Sequence, residues 1–191
     1  MHPAGLVAVT ATVDLLFTGY VGDTVASTVS LVRARGLVAV VDPGMVPSPA
    51  SIIGPLAELN LAPVDVTDVI LSHHHPDHVL NAGLFPAARF HDHWATYQGD
   101  QWDSRPCEGF VLADGVELIA TPGHTSEDLS TVVDTGKGIV VLTHCWWHQG
   151  SGPDPLAEDH DALERSRSRI LSIATHVVPG HGPMYRVGDP A

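Results

Sequence analysis

With 191 residues, 44% of them hydrophobic and 16% charged, the chain carries enough apolar material for one well-packed domain and is short for two. A net charge of −13, from 9 Lys and Arg against 22 Asp and Glu, argues against a partner held through phosphates, because a nucleic-acid surface needs clustered cations. No apolar run approaches the roughly 18 residues of a bilayer span, the first residues lack the basic region of a secretory leader, and two cysteines make no disulfide framework. A single domain over residues 1–191, cytoplasmic and without a membrane partner, is therefore expected. A lone Cys107–Cys145 bridge stays open.

In chain order, short Val- and Ile-rich runs predict strands at Leu6–Leu16, Ser27–Ala34 and Leu37–Val41, the last closed by the turn Asp42-Pro43-Gly44. A helix over Ser51–Asn60 follows Pro49 and places Ile52, Ile53, Leu56 and Leu59 at helical spacing. Strands at Val69–Ser72 and Ala88–His91 come next, then a short helix from near His93 towards Gln98. Strands are predicted again at Phe110–Leu112, Glu117–Ala120, Ser130–Asp134 and Ile139–Thr143, punctuated by Asp114-Gly115 and Thr135-Gly136. A long helix, Leu156–Ala174, carries Leu163, Ile170, Leu171 and Ala174 on one stripe, and a strand at His176–Val178 ends the series. Arg165, Arg167 and Arg169 read as a solvated face of that helix. Strand-rich halves interrupted by helices fit two packed sheets with helices outside, of α/β or α+β class, and periodicity goes no further.

The outlying number is 13 histidines, the commonest metal-binding side chain. Four apolar strands each run into a histidine-bearing loop, at His73–His78, His124, His144 and His181. The first of these, Ser72-His73-His74-His75-Pro76-Asp77-His78, contains His-x-His-x-Asp-His. Alternate residues of extended chain share a face, so His73 and His75 can address one ion. Pro76 then bends the chain and turns Asp77 and His78 to a neighbouring position. Imidazoles with a carboxylate suit Zn²⁺ and other borderline divalent ions.

These segments resemble the metallo-β-lactamase superfamily over nearly the whole chain. Val40–Gly44 looks like its early strand ending in Asp-x-Gly, His73–His78 like its metal-binding motif, and Pro122–Thr125 and Pro179–Gly182 like its third- and final-histidine loops. The resemblance implies a four-layer αββα sandwich with a metal site at one sheet edge. It also implies that His73, His75 and His124 hold one ion and Asp77, His78 and His181 a second, with one or two Zn²⁺ as the cofactor and Asp77 able to orient the attacking hydroxide. Leu163–Arg169, Val177–Pro183 and Asn81–Pro86 resemble an animal branch of the superfamily, which implies a metal-dependent ribonuclease as a narrower alternative.

One position departs from the pattern. Where most members carry a metal-bridging aspartate between the third and last histidines, this chain has Thr143-His144-Cys145-Trp146-Trp147. A carboxylate can bridge two cations with its two oxygens, whereas a neutral imidazole offers one acceptor nitrogen and no negative charge. His144 is thus a terminal ligand to one metal, an acid/base group beside a single metal, or a core histidine, and Cys145 is a rival ligand. Unusual metal content is expected: fewer than two zincs, or iron or manganese instead.

The remaining polar candidates are weaker. His74 should face away from its neighbours, and His91 and His93 either form a small metal pair or belong to a polar loop. Trp146 and Trp147, ahead of His148 and the Gly150–Pro155 loop, either pack or touch substrate. The function expected is hydrolysis of an ester, thioester, amide or phosphoester by metal-activated water. A histidine-rich redox site for an oxidoreductase or lyase is the alternative from another class. A small-molecule substrate is favoured over nucleic acid, and a homodimer stays open.

Overall fold

The computed structural model describes residues 10–191. Its strands are β1 (Thr12–Phe17), β2 (Tyr20–Val21), β3 (Val25–Ala26), β4 (Val29–Ala34), β5 (Leu37–Val41), β6 (Asp68–Ile70), β7 (Arg89–His91), β8 (Ala95–Gln98) and β9 (Gln101–Ser104) in the first half. The second half contributes β10 (Phe110–Ala113), β11 (Val116–Ala120), β12 (Leu129–Asp134), β13 (Ile139–Leu142), β14 (His176–Val178) and β15 (Tyr185–Arg186). The helices are α1 (Ala50–Glu58), the single turn α2 (Pro76–Val79) and α3 (His160–Ile173).

Seven strands pair in the order β1-β4-β5-β6-β7-β8-β9 and six in the order β10-β11-β12-β13-β14-β15, with β2 and β3 a separate hairpin. Side chains alternate across a strand, so β5 sends Ala39 and Val41 to one face and Val40 to the other. The first face meets Leu118, Leu129 and Val133 of the second sheet, which makes the central core. The other packs under Ile52 and Leu56 of α1 and against Phe85. On the far side, Ile119, Val132, Val141 and Val177 pack against Leu163 and Ile170 of α3. Strands covered on both faces read as continuous apolar runs, which explains Leu37–Val41 and Ile139–Leu142. This is the αββα sandwich.

Several expectations are corrected. The helix expected from His93 to Gln98 is strand β8, paired antiparallel with β7 and β9. Asp92 accepts hydrogen bonds from the Trp94 and Ala95 amides, the pattern of a helix N-cap, but here it closes a turn that leads into a strand. Strand β9, with its polar sequence Gln101-Trp102-Asp103-Ser104, was not foreseen. Helix α3 starts at His160, where Asp159 caps the Ala162 amide, so Leu156 lies outside it. Its buried stripe is Leu163, Arg167 and Ile170, leaving Leu171 exposed and Ala174 past the last turn. Arg167 is thus no part of a solvated face: its Nε donates to the Cys145 carbonyl and its ring neighbour is Trp146. Both cysteines are buried and unbonded, and burial pushes the Cys107 thiol to about 11 and the Cys145 thiol to about 12. Residues 6–9 of the first expected strand lie outside the described residues.

One buried charge holds the first sheet together away from the histidines. Asp68 on β6 accepts from His91 Nε2 at 2.8 Å, Thr67 Oγ1 at 2.6 Å and Arg89, which accounts for His91 without a metal. Burial alone would raise this carboxyl, but the bonds from His91, Thr67 and Arg89 outweigh it and hold it below the ordinary range. A group with a lowered folded value stabilises above its unfolded value and loses that contribution as pH falls through the folded one. Asp68→Asn is accordingly expected to cost about 2 kcal/mol at neutral pH, by the usual worth of charge-assisted bonds. The difference should shrink below about pH 4, where the wild-type carboxylate takes up its proton. Urea unfolding of both proteins at several pH values checks it.

Candidate metal centre

Five strands deliver the site at one edge of the sandwich. β5 ends at Asp42, β6 leads through Ser72 into His73–His78, β11 leads to His124, β13 to His144 and β14 to His181. Backbone bonds tie these loops to one another: Asp42 N–H to the Ile70 carbonyl, Leu129 N–H to the Ser72 carbonyl, and Thr143 N–H to the Val178 carbonyl. Thr28, after β3, clamps the final loop through its amide to the Gly180 carbonyl and its hydroxyl to the Gly182 backbone. Loops pinned at both ends hold side chains to the tolerance a site needs.

The side chains converge. His73 Nε2 lies 3.1 Å from His75 Nδ1, which lies 3.0 Å from His124 Nε2. Beside this trio, Asp77 Oδ2 is 3.6 Å from His78 Nε2 and 3.5 Å from His181 Nε2, and His181 Nε2 is 3.2 Å from His144 Nε2. Ligands about 2.0–2.1 Å from a shared zinc sit roughly 3 Å apart, so the spacing suits an ion between them.

The outer bonds decide which nitrogen of each ring faces inward. His73 Nδ1 meets Ser72 Oγ at 3.0 Å, and that hydroxyl donates to Asp42. His78 Nδ1 meets Asp42 Oδ2 at 2.9 Å, His124 Nδ1 meets Asp154 Oδ2 at 2.7 Å, and His181 Nδ1 meets the Ala26 carbonyl at 2.9 Å. Each acceptor keeps the proton on the outer nitrogen and leaves a lone pair on Nε2 pointing into the cluster. His78 Nε2 is buried with no hydrogen-bond partner at all. A buried bare nitrogen among other bare nitrogens is a costly arrangement unless a cation shares them. The donor set therefore fits a divalent metal.

His144 sits in the middle of this group. Its ring centroid lies 4.1 Å from that of His124, 4.6 Å from His73, 4.7 Å from His78 and 5.2 Å from His181. Gly180 makes room for it, since a Cβ there would lie 2.4 Å from His144 Cδ2. Its Nδ1 is buried without a partner, so neighbouring atoms orient this ring and no outer acceptor does. Burial first, and then the surrounding imidazoles, push His144 and His73 well below the usual histidine value and His181 below it, and burial also lowers His124 against the opposing pull of Asp154. Those four imidazoles are thereby favoured in the neutral form, with lone pairs free for a cation. Cys145, the rival ligand, turns its Sγ to the Thr121 carbonyl.

A cavity of about 380 Å³ opens over the cluster, lined by His75, Asp77, His124, His144 and His181 and by apolar residues of the hairpin and the later loops. Trp147 lines it, whereas Trp146 packs on the outer core beside Arg167. A larger depression near Trp94, Arg105 and Cys107 contains none of the clustered histidines. His74 faces away, stacked on Trp94 and raised by its bond to Asp92, and His148 is exposed.

A family model for the metallo-beta-lactamase superfamily matches residues 22–184. The chain belongs to the metallo-β-lactamase superfamily. Within it, the chain is 40% identical over 146 residues to metallo-beta-lactamase domain-containing protein 1 of Xenopus laevis, covering 72% of this chain and 63% of that protein. It is 40% identical over 166 residues to the Homo sapiens protein of the same name, covering 81% of this chain and 61% of that one. The chain thus spans under two thirds of the length of these relatives. A metallo-β-lactamase-type structure from Thermotoga maritima superposes with a TM-score of 0.73 at 23% identity, over 93% of this chain and 99% of that one. Among the described residues, no helix is long and apolar enough to cross a membrane.

All seven ligand candidates read from the sequence (His73, His75, Asp77, His78, His124, His144 and His181) come together. What sequence reasoning missed is the ring of acceptors behind them. Asp42 was visible only as part of a turn motif, and Asp154 only as one residue of a Gly- and Pro-rich loop. Gly44 also has a site role: a Cβ there would fall 1.7 Å from the Asp77 carbonyl oxygen, so only glycine lets the two loops touch.

Proposed function

We propose that this chain is a metal-dependent hydrolase whose tighter metal position is the trio His73, His75 and His124, with Asp77, His78, His181 and His144 forming a second, weaker one. The observation that supports it is the inward lone pair of His73, His78, His124 and His181, each fixed by an outward hydrogen bond. Three protein ligands leave a fourth position open, as hydrolytic sites require, while four ligands close the second position. A metal held there supplies Lewis acidity and brings the pKa of a coordinated water down to about 7.

The chain's own residues do the rest. With the second position empty, Asp77, half-buried in the cavity wall, accepts the proton of the attacking water and delivers it to the leaving atom. His124 and His73 are locked by Asp154 and Ser72, so the open position keeps its direction. His144 serves as a nitrogen donor beside His181 and not as an acid, because burial and four neighbouring imidazoles disfavour its protonated form. Zinc is the metal the trio suits best. The share of imidazole in the donor set also suits iron, which keeps an oxidoreductase as the second reading.

Elemental analysis with a turnover assay tests this. Metal-stripped protein should lose hydrolysis of activated esters and phosphodiesters and regain it on adding Zn²⁺, Mn²⁺ or Fe²⁺. Full activity in stripped protein would overturn the proposal, and oxygen uptake by iron-loaded protein without hydrolysis would favour the second reading. His144→Asp should raise the bound metal from about one ion per chain to about two, because a carboxylate adds the missing bridge and negative charge.

A further inference from the structure

The cavity over the metal cluster is apolar wherever it is not built of candidate ligands. Val21, Val25, Pro76, Trp147 and Leu156 make up that wall. Val21 and Val25 face each other across the two strands of the β2–β3 hairpin, and Leu156 is 62% exposed in the loop that precedes α3. An apolar side chain kept that open beside a reaction site is placed to meet a ligand. No Lys or Arg lines the cavity, and Asp77, an acid, is the charged residue in its wall. Arg167, beneath the Gly150–Pro155 loop, is committed to the Cys145 carbonyl and Glu164. With the chain at −13 overall, the surrounding field also repels anions.

Building on the hydrolase reading above, we propose that the substrate is an uncharged carboxylic ester or thioester whose acyl group is apolar and lies against the hairpin, Trp147 and Leu156. A nucleic-acid phosphodiester carries further phosphates on either side of the scissile one, and these call for cations along the approach to the metal, where the wall offers apolar side chains and Asp77 instead. Single-stranded nucleic acid needs a basic groove as well as aromatic platforms, and this cavity, with Trp147 as its one tryptophan and an acidic chain around it, supplies neither track nor charge. In the reaction, the water oxygen bonds to the acyl carbon while the bond from that carbon to the alkoxy oxygen or thiol sulfur breaks. The departing atom keeps the electron pair and takes the water proton by way of Asp77. The products are an alcohol or thiol and a carboxylic acid, which releases the water's remaining proton to solvent as it ionises.

The test uses the metal-loaded enzyme with p-nitrophenyl acetate, butyrate and hexanoate, bis(p-nitrophenyl) phosphate and a labelled single-stranded RNA. Each methylene that enters the apolar wall should raise kcat/KM about fourfold, and the phosphodiester and RNA should lag the hexanoate by about a hundredfold or more. Val21→Asp and Leu156→Glu should flatten the dependence on chain length, with metal content unchanged by elemental analysis. A flat chain-length series in the wild type, or RNA or the phosphodiester cleaved as fast as the esters, overturns the acyl substrate while leaving hydrolysis intact. No turnover of any of these compounds removes the hydrolase reading itself.

Discussion

Asp42→Ala is expected to lower both stability and metal affinity, although Asp42 is not itself a proposed ligand. Its carboxylate accepts the Ser72 amide at 2.7 Å, the Ser72 hydroxyl at 2.7 Å and His78 Nδ1 at 2.9 Å, all buried. Each buried donor left without a partner costs about 1–3 kcal/mol, so removing the carboxylate should destabilise the metal-free protein by on the order of 4 kcal/mol. The backbone adds to this, because Asp42 has φ +50°, a left-handed conformation that aspartate tolerates better than alanine. Without Asp42, His78 loses its fixed tautomer and His73 the end of its Ser72 relay, and metal affinity should fall about 10–100-fold. Asp42→Asn keeps an acceptor oxygen and the backbone preference, so it should lie between the two. Urea unfolding of stripped protein and competitive zinc titration give the two numbers separately. Wild-type stability with unchanged zinc affinity in Asp42→Ala would refute this role.

His75→Ala should act in the opposite way, abolishing chemistry while leaving the fold alone. His75 lies in the cavity wall and supplies the nitrogen that stands between those of His73 and His124. It is only partly buried and has no outer hydrogen-bond network to disturb, so the unfolding midpoint of stripped protein should hardly move. Losing one of three ligands removes several kcal/mol of metal-dependent barrier lowering, and about 4 kcal/mol corresponds to roughly a thousandfold in rate. Steady-state kinetics should show the loss in kcat with little change in KM, since the apolar wall that binds substrate is intact. Retained turnover in metal-loaded His75→Ala would exclude the trio as the working site.

The ligands were legible because four of them fall in six consecutive residues and the others each close an apolar strand. His73, His75, Asp77 and His78 need only local geometry to meet. His124, His144 and His181 need the strands to pair, which their Val- and Ile-rich sequences announce. The acceptors behind the ligands were not legible, because no spacing links Asp42 to His78 or Asp154 to His124. The separations of 36 and 30 positions are closed only by tertiary structure. Local chemistry also misled where one pattern serves two ends. Asp92 bonds the two amides that a helix cap would bond, yet the chain beyond it runs extended as β8. Strand β9 escaped notice because all four of its residues are exposed and polar or aromatic, with no buried face to set a period of two. Arg167 looked solvated beside Arg165 and Arg169, but its aliphatic stem and guanidinium fill the space between α3 and the loop after β13.

Anomalous diffraction from crystals of protein purified without chelator tests the His73, His75 and His124 metal position most directly. One well-occupied metal peak is expected about 2.0–2.1 Å from His73 Nε2, His75 Nδ1 and His124 Nε2, with a fourth position open to the cavity. A weaker peak, or none, should lie among Asp77, His78, His144 and His181. Two equally occupied ions with His144 turned away from both, or no ion between the three nitrogens, would contradict it.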